Sequence, residues 1–270
     1  KLEEEVLESE VLHADETPHR MLEGDDKKSW YLWGFSTPFT SYLECHDTRS
    51  GVVASRLLKR SRVKYLMSDV FSGYAKAVRE TNEDRRSQGL PSIQSIYCNA
   101  HARRKFKEAE ENFPAESKFF IENYQKIYRL EKIAKARPAD RADKKQKLRR
   151  LMLPVFELMR ERIYRDLKGY PSKSSICKAM SYFLENFTEL TRFTQNVDLP
   201  IDNNLQERQL RNPVIGRKTW YGTHSKKGAR TMAILFSLVE SCKLNQVNPR
   251  EYFKKLIQDI HQGQKPYTPK

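Results

Sequence analysis

The first 110 residues alternate short apolar runs with longer amphipathic stretches, a pattern that predicts an α/β fold. Aromatic-rich apolar runs bounded by turn residues predict strands, and they cover 11–15, 29–35, 40–45, 65–69 and 93–97. The Thr37-Pro38 turn joins the second and third runs into a predicted hairpin. Helical spacing predicts helices over 50–60, from Gly73 onwards and from His101 onwards. The expected architecture is a five-stranded sheet flanked by helices.

The chain changes character after Pro114. Apolar positions over 115–190 recur at helical spacing, and the run 144–150 is densely basic. We interpret this stretch as an all-helical insertion within one α/β domain; a separate helical domain with its own role is the alternative. The predicted division is a first core part over 1–112, the insertion over 113–195, a second core part over 196–225, and C-terminal helices with a tail over 226–270. The last part predicts helices over 227–245 and 249–261, followed by a disordered tail over 263–270.

A polar helix is predicted to begin after Ile201. Asp202 or Asn203 can cap it, because a short polar side chain there accepts free backbone N–H groups. One face of this helix then carries, at i, i+3, i+4 and i+7, the residues Asn204, Glu207, Arg208 and Arg211. A turn is expected at Gly216-Arg217-Lys218. A carboxylate among guanidiniums suits a metal or acid–base role beside a phosphate backbone, whereas a solvated helix with ordinary ion pairs is the plainer interpretation.

The charge balance indicates a polyanionic partner. The 270 residues include 50 Lys and Arg against 35 Asp and Glu, which gives a net charge of +15 and a pI of about 9.6. Nucleic acid is favoured over an anionic membrane, because no apolar run approaches the roughly 20 residues of a spanning helix. No signal peptide is evident, and the start inside a helical run suggests a fragment of a longer protein. The four cysteines are widely spaced, which predicts free thiols in a reducing cytoplasm.

Three acids stand out by position. Asp15 lies on the first predicted strand, where a buried carboxylate needs a partner or a metal. Asp69 lies at the end of the fourth strand, the edge of an α/β sheet at which ligands usually bind. Glu207 lies on the polar helix. Each has a plain alternative: Asp15 could bond the backbone, Asp69 could cap the next helix, and Glu207 could be ion-paired.

Taken together, the motifs around these acids resemble the IS66 family of bacterial insertion-sequence transposases. The motifs that carry the resemblance are HADETP (13–18), SDVFSGY (68–74), CNAHARRKF (98–106), DNNLQERQLR (202–211), GRKTW (216–220) and SLVESCKLN (237–245), with Pro249 beyond. They cover nearly the whole chain in the family's order. Departures are Asn99, where the family usually has Trp, and Thr219, where Asn is common.

The resemblance implies an RNase H-like fold, with a mixed five-stranded sheet, and a DDE triad placed on Asp15, Asp69 and Glu207. The same acids would hold two Mg²⁺ (or Mn²⁺) ions, with Asp15 bridging both; in-line cleavage of a phosphodiester uses such an ion pair. The implied reaction is hydrolysis that frees a 3′-OH at the element's end, followed by attack of that hydroxyl on target DNA. Glu16 or Asp202 would be the ligand instead if the register were displaced.

Other residues are assigned weaker roles. Phosphate contacts are expected from Arg103, Arg104, Arg208, Arg211, Arg217 and Lys218. His101 and Asn204 are expected to be structural residues near the site, although Cys98 and His101 have the spacing of a zinc-ligand pair. His13 and His224 could orient water or DNA or be structural. Trp220 and Tyr221 could stack on a base, with core packing as the favoured use.

The leading function is therefore a DDE transposase catalytic domain. An RNase H-like nuclease or resolvase that only hydrolyses is an alternative, as is a non-catalytic, domesticated DNA-binding protein. The expected partners are insertion-sequence ends and target DNA, with a homodimer in the active complex, accessory transposition proteins and no membrane. The expected location is the bacterial cytoplasm, in association with the nucleoid.

Overall fold

The computed structural model describes residues 1–22, 29–136 and 142–269. The chain forms two compact units: the first combines Lys1–Ser95 with Asn203–Lys270, and the second is Ile96–Asp202. The four-part division expected from the sequence stays a prediction.

Helices make up most of the described chain. They are α1 (Leu2–Leu7), α2 (Val52–Lys59), α3 (Ser72–Ser87), α4 (Asn99–Ala109), α5 (Pro114–Lys135), α6 (Ala142–Arg150), α7 (Leu153–Asp166), α8 (Ser175–Glu185), α9 (Phe187–Thr191), α10 (Asn204–Trp220), α11 (Lys226–Leu244) and α12 (Pro249–His261). Among the helices of the described ranges, none is both long and apolar enough to cross a membrane.

A mixed five-stranded sheet confirms the expected fold class. Its strands are β1 (Val11–Arg20), β2 (Ser29–Ser36), β3 (Ser41–His46), β4 (Tyr65–Ser68) and β5 (Gln94–Tyr97), in the order β3-β2-β1-β4-β5. β1 is antiparallel to β2 and parallel to β4, and β2 and β3 form the predicted hairpin.

The first strand is longer than the sequence predicted. The expected end at Thr17-Pro18 is wrong, because β1 continues to Arg20 and pairs with β2 along this whole stretch. β4 pairs with Val11–His13, so among the described strands the stretch of β1 around Pro18 pairs with β2 alone. Pro18 lacks an N–H donor and is tolerated in such an edge-like position.

Side chains alternate between the two faces of the sheet and divide its apolar contacts into two layers. On one face, Leu12 and Ala14 of β1 are buried in the core that α1, α2 and α3 complete. On the other face, Leu32 of β2 and Leu43 of β3 pack against Leu210 of α10. The sheet therefore lies between two helical layers, and α10 covers the second face.

Helix α11 covers the outer edge of β3. The backbone N–H of Leu43 donates to Ser237 Oγ (2.8 Å), and that of Ser41 donates to Ser241 Oγ (3.0 Å). These two serines are one helical turn apart, so they satisfy alternate N–H groups of the strand. An edge that would otherwise be open to pairing with another strand is closed by side chains.

Aromatic side chains form the core of the second unit. Phe106, Tyr124, Phe156 and Phe183, from four of its helices, lie with ring centroids 6.2–6.4 Å apart. The basic run 144–150 contributes one fully buried residue, Arg149. Its Nη2 donates to Glu131 Oε1 (2.6 Å) and its Nη1 to the backbone oxygen of Leu199 (2.7 Å). Arg149 is therefore a structural residue.

The C-terminal segment lacks regular structure, but the expectation that it is disordered is wrong over 263–269. Tyr252 Oη donates to the backbone oxygen of Tyr267 (2.6 Å), and Thr268 Oγ1 donates to Glu5 Oε1 (2.7 Å). Lys270 lies outside the described residues. The free thiols expected from the sequence are confirmed at all four cysteines, Cys45, Cys98, Cys177 and Cys242.

Candidate active site

Asp15 projects from the face of β1 that α10 covers. Its neighbours in alternation, His13 and Thr17, contact α10 residues, whereas Ala14 is buried in the core on the opposite face. Because side chains of a strand alternate, Asp15 shares the α10 face and Glu16 does not.

Asn203 attaches the start of α10 to β1. It occupies the N-cap position, as predicted for Asp202 or Asn203, but its side chain makes no capping hydrogen bond. Asn203 Nδ2 instead donates to the backbone oxygen of Ala14 (2.8 Å), and Oδ1 accepts from His13 Nδ1 (2.9 Å). Glu207 lies in the first turn, where its N–H donates to the backbone oxygen of Asn203 (3.1 Å). The two hydrogen bonds from Asn203 to Ala14 and His13 form a clamp between α10 and β1. This clamp holds Glu207 over the strand that carries Asp15.

A glycine lets α10 approach the sheet closely at this point. Gly34 of β2 is directly opposite Asp15. A Cβ at Gly34 would lie 2.0 Å from Gln206 Nε2, and Gln206 is fully buried beside Glu207. A side chain at position 34 would require the end of the buried Gln206 side chain to move. Neither Gly34 nor Gln206 was singled out in the sequence, because their importance depends on a contact between distant segments.

Asp69 immediately follows β4, the strand parallel to β1. Asp69 Oδ1 accepts from the backbone N–H of Phe71 (3.1 Å), and Asp15 Oδ1 accepts from the backbone N–H of Glu16 (2.9 Å). These bonds orient both carboxylates.

The three acids interact electrostatically. The pKa of Asp15 is raised from 3.8 to about 8, chiefly by burial and then by the negative charges of Glu16, Asp69 and Glu207. Hard carboxylate oxygens from three elements are the ligand set that Mg²⁺ or Mn²⁺ prefers, so the residues present fit a divalent metal.

Glu16 is bound on the other face of the sheet. Its Oε2 accepts from Tyr74 Oη (2.7 Å), and its Oε1 accepts from Arg49 Nη2 (2.7 Å). Burial raises the pKa of Glu16, while the bonds from Tyr74 and Arg49 oppose that rise. The alternative in which Glu16 replaces Asp15 is disfavoured by these partners. The other alternative, Asp202, belongs to the second unit.

Of the residues predicted to contact phosphates, four lie in the first unit and two in the second. Arg208, Arg211 and Lys218 are exposed on α10, as is Asn204 in its first turn. Arg217 Nη1 donates to Thr17 Oγ1 (3.3 Å), two residues along β1 from Asp15. The turn expected at Gly216-Arg217-Lys218 is wrong: α10 continues through these residues to Trp220.

Arg103 and Arg104 lie on α4 in the second unit, with the Arg103 guanidinium 6.0 Å from the Tyr128 ring centroid. Cys98 is buried at the N-cap of the same helix, and His101 follows in its first turn. The structural role of His101 and the zinc pair of Cys98 and His101 stay predictions.

Two aromatic residues at the end of α10 are more exposed than expected. Trp220 is 45% exposed, and its ring lies over Gly216 and stacks on Phe236 at 6.2 Å. Tyr221 is 70% exposed, so the favoured interpretation of core packing is wrong for this residue.

The segment after Tyr221 is held by the end of β1. Thr223 N donates to the backbone oxygen of Arg20 (3.0 Å), Leu22 N donates to that of Thr223 (2.8 Å), and His19 Nε2 lies 2.9 Å from Thr223 Oγ1. His19 was missed in the sequence because its partner is 204 residues away.

Two family models match this chain, and three curated relatives are similar to it. The model of a family described as "Transposase IS66 family" matches residues 1–231, and a model described as "IS66 C-terminal element" matches 237–267. Three relatives from Sinorhizobium fredii (strain NBRC 101917 / NGR234) carry the name "Uncharacterized protein". One, y4qI, is 30% identical over 279 residues, 96% of this chain and 49% of the relative. The second, y4jD, is 26% identical over 240 residues, 88% of this chain and 45% of the relative. The third, y4hP, is 23% identical over 287 residues, which cover 96% of this chain and 49% of the relative. The chain spans about half the length of the curated relatives it matches.

Proposed function

The chain belongs to the IS66 transposase family, and from this premise we propose that it carries the catalytic centre of a DDE transposase on Asp15, Asp69 and Glu207. The single observation that carries the proposal is the placement of the three carboxylates: Asp15 lies on the face of β1 that α10 covers, Glu207 lies in the first turn of α10, and Asp69 directly follows β4, the strand parallel to β1. Burial, then the charge of Glu16, and then those of Asp69 and Glu207 raise the pKa of Asp15, in accord with this placement. Carboxylates from β1, the end of β4 and α10 are unfavourable together unless a cation compensates them.

Two Mg²⁺ or Mn²⁺ ions bound by these carboxylates would activate the attacking oxygen and stabilise the leaving oxygen of an in-line displacement. The protein's own residues orient the acids: Asn203 fixes α10 on β1, Gly34 admits Gln206, and the backbone N–H of Phe71 holds Asp69. The proposed reaction frees a 3′-OH by hydrolysis and then joins that hydroxyl to target DNA.

DNA is the proposed substrate on both family and charge grounds. Arg208, Arg211 and Lys218 are exposed on the helix that carries Glu207, and Arg217 reaches β1 near Asp15. Contacts from these side chains to phosphates position a strand without reading its sequence. Arg103 and Arg104 of α4 are proposed as further phosphate contacts, with His101 and Asn204 as structural residues.

We further propose an RNase H-like core, which the mixed β3-β2-β1-β4-β5 order supports. Joining two element ends suggests a homodimer in the active complex, with accessory transposition proteins as additional partners. A transposase acts where its chromosomal substrate is, so the bacterial cytoplasm and nucleoid are the proposed location.

The test compares Asp15→Asn, Asp69→Asn and Glu207→Gln with Glu16→Gln in Mg²⁺-dependent cleavage of insertion-sequence ends. The first three should lose at least about 100-fold in cleavage rate while DNA binding persists, because a metal ligand is lost and the fold is not. Glu16→Gln should lose much less cleavage than the other three variants, because the Glu16 side chain lies on the other face of the sheet and affects Asp15 only through its charge. Equal loss in all four variants, or no loss in the first three, would refute the assignment.

Labelled 3′-OH ends supplied with target DNA distinguish a transposase from an enzyme that only hydrolyses. Joined products are expected for the wild-type protein. Cleavage without joined products would favour the nuclease or resolvase.

A further inference from the structure

Tyr221 occupies a backbone conformation that a residue with a Cβ rarely adopts. It ends α10 with φ of 67° and ψ of −18°, the left-handed region in which helices usually place glycine. The following residue, Gly222, has φ of 147°, and a Cβ there would lie 2.0 Å from the backbone oxygen of Arg20. The chain thus has a glycine where the backbone requires one, and a tyrosine where glycine would be more stable. Such an unfavourable conformation with an exposed ring points to a function of that ring.

The surroundings of Tyr221 suit a polyanion with aromatic bases. Between Glu207 and Glu240 the sequence contains no Asp or Glu. The cations of this stretch are Arg208, Arg211, Arg217, Lys218, Lys226, Lys227 and Arg230. Cationic side chains beside an exposed aromatic ring are the combination that binds single-stranded nucleic acid, because phosphates and base faces are contacted together.

The segment after Tyr221 is attached to the end of β1, the strand that carries Asp15. His19, which lies against Thr223 beyond Tyr221, is four residues along β1 from Asp15 on the same face. At roughly 3.3 Å per residue this separation is about 13 Å. Arg217 contacts Thr17 between the two. Asp15, the Arg217–Thr17 contact and the His19–Thr223 contact therefore follow one another along β1, and Tyr221 lies two residues before Thr223 in the chain.

We propose that the Tyr221 ring stacks on an unpaired base of the DNA strand that is cut at Asp15, Asp69 and Glu207. The inference rests on the proposed function. The Trp220 ring is less accessible for stacking on a base, because it lies over its own helix at Gly216.

The test measures binding without cleavage, in EDTA, to DNA with a single-stranded overhang and to the matched blunt duplex. Variants are Tyr221→Gly, Tyr221→Phe and, as a control, Tyr164→Ala, which removes a tyrosine of similar exposure (66%) from α7. Tyr221→Gly should bind overhang DNA about 5- to 100-fold more weakly, with blunt-duplex affinity unchanged. Tyr221→Phe and Tyr164→Ala should bind as the wild type does. A 2-aminopurine scanned along the overhang should be quenched at a defined position, and only when an aromatic ring is present at 221.

Thermal unfolding separates this role from a structural one. Because glycine suits the left-handed conformation, Tyr221→Gly should melt at the same temperature as the wild type or up to about 4 °C higher. Unchanged overhang binding in Tyr221→Gly, or an equal loss on blunt duplex, would overturn the inference. If the wild type cleaves DNA and Tyr221→Gly binds normally, the inference fails and the proposed function stands. If no cleavage occurs but Tyr221-dependent quenching persists, the proposed function fails and the stacking contact stands.

Discussion

Asp15 and Glu16 are adjacent in sequence but differ completely in surroundings. Strand alternation places Asp15 under α10 and places Glu16 against Tyr74 and Arg49. From the sequence, Asp15 is predicted to be the metal ligand, with Glu16 as the alternative. The sequence cannot decide between them, because it does not show which elements pack against each face of the strand. The distinguishing information lies in α10, 190 residues away from His13.

At the residue scale, Gly34→Ala should displace α10. The new Cβ would meet Gln206 Nε2 at 2.0 Å, and crowding of this kind costs typically about 1–3 kcal/mol. Denaturant unfolding should show that loss, and DNA cleavage should fall because Glu207 moves with Gln206.

The double variant Gly34→Ala with Gln206→Ala provides the control. Removal of the Gln206 side chain makes room for the new methyl group, so the double variant should be more stable than the sum of the two single changes predicts. Strict additivity would show that the contact does not limit the approach of α10.

At the scale of elements, α10 depends on its clamp to β1. Asn203→Ala removes two buried hydrogen bonds and leaves the backbone oxygen of Ala14 and His13 Nδ1 without them. The expected loss is about 2–6 kcal/mol of unfolding free energy, because the two buried groups that lose their partner cost about 1–3 kcal/mol each. Glu207 loses its position as well, so cleavage should fall further than DNA binding.

The control for this clamp is Asn112→Ala, which changes an exposed asparagine in the turn between α4 and α5. It should leave the unfolding free energy within about 0.5 kcal/mol of the wild type, as surface changes usually do. Equal effects of the two changes would contradict a specific role of Asn203.

The link between the end of β1 and the segment after α10 should be sensitive to pH. Burial, and then the charge of Arg217, lower the pKa of His19 from 6.5 to about 4. The unfolded chain therefore binds a proton at this position between pH 6.5 and 4, and the folded chain does not. Stability is lost as the pH falls through that window.

Between pH 7 and pH 5, His19 should account for a loss of about 2 kcal/mol in unfolding free energy. His19→Gln keeps a hydrogen-bonding group near Thr223 Oγ1 but does not titrate, so its loss over the same interval should be smaller by that amount. Parallel pH profiles of the two proteins would contradict the assignment.

The type and approximate position of the helices and strands were predicted better than their ends and lengths. The five strands, the β2–β3 hairpin and the final helix were recognised from apolar periodicity and turn residues, because these signals are local. The end of β1, the length of α10 and the ordered C-terminal segment were not recognised. The end of β1 depends on its pairing with β2, and the C-terminal segment depends on the bond between Tyr252 and Tyr267. The continuation of α10 through Gly216 is accompanied by a local contact, because the Trp220 ring of the same helix lies over that glycine.

At the scale of the whole molecule, the net charge of +15 predicts DNA binding that weakens steeply with salt. Each phosphate contact contributes about 0.9 to the slope of log K against log salt concentration. Arg208→Gln combined with Arg211→Gln should therefore lower the slope by about 2, without a change in sequence preference.

A matched control is Arg79→Gln with Arg86→Gln, two exposed arginines of α3, which packs on the other face of the sheet. This pair should leave the slope unchanged. If both pairs lower the slope equally, DNA binding follows overall charge and not the face of α10.

The central claim is that Asp15, Asp69 and Glu207 together bind divalent metal. Anomalous diffraction from crystals grown with Mn²⁺ tests this claim most directly. The account predicts Mn²⁺ peaks bounded by these three carboxylates, with two ions about 3.5–4 Å apart when DNA is bound, and no peak in Asp15→Asn. Mn²⁺ held at Glu16, or peaks that do not involve Glu207, would contradict it.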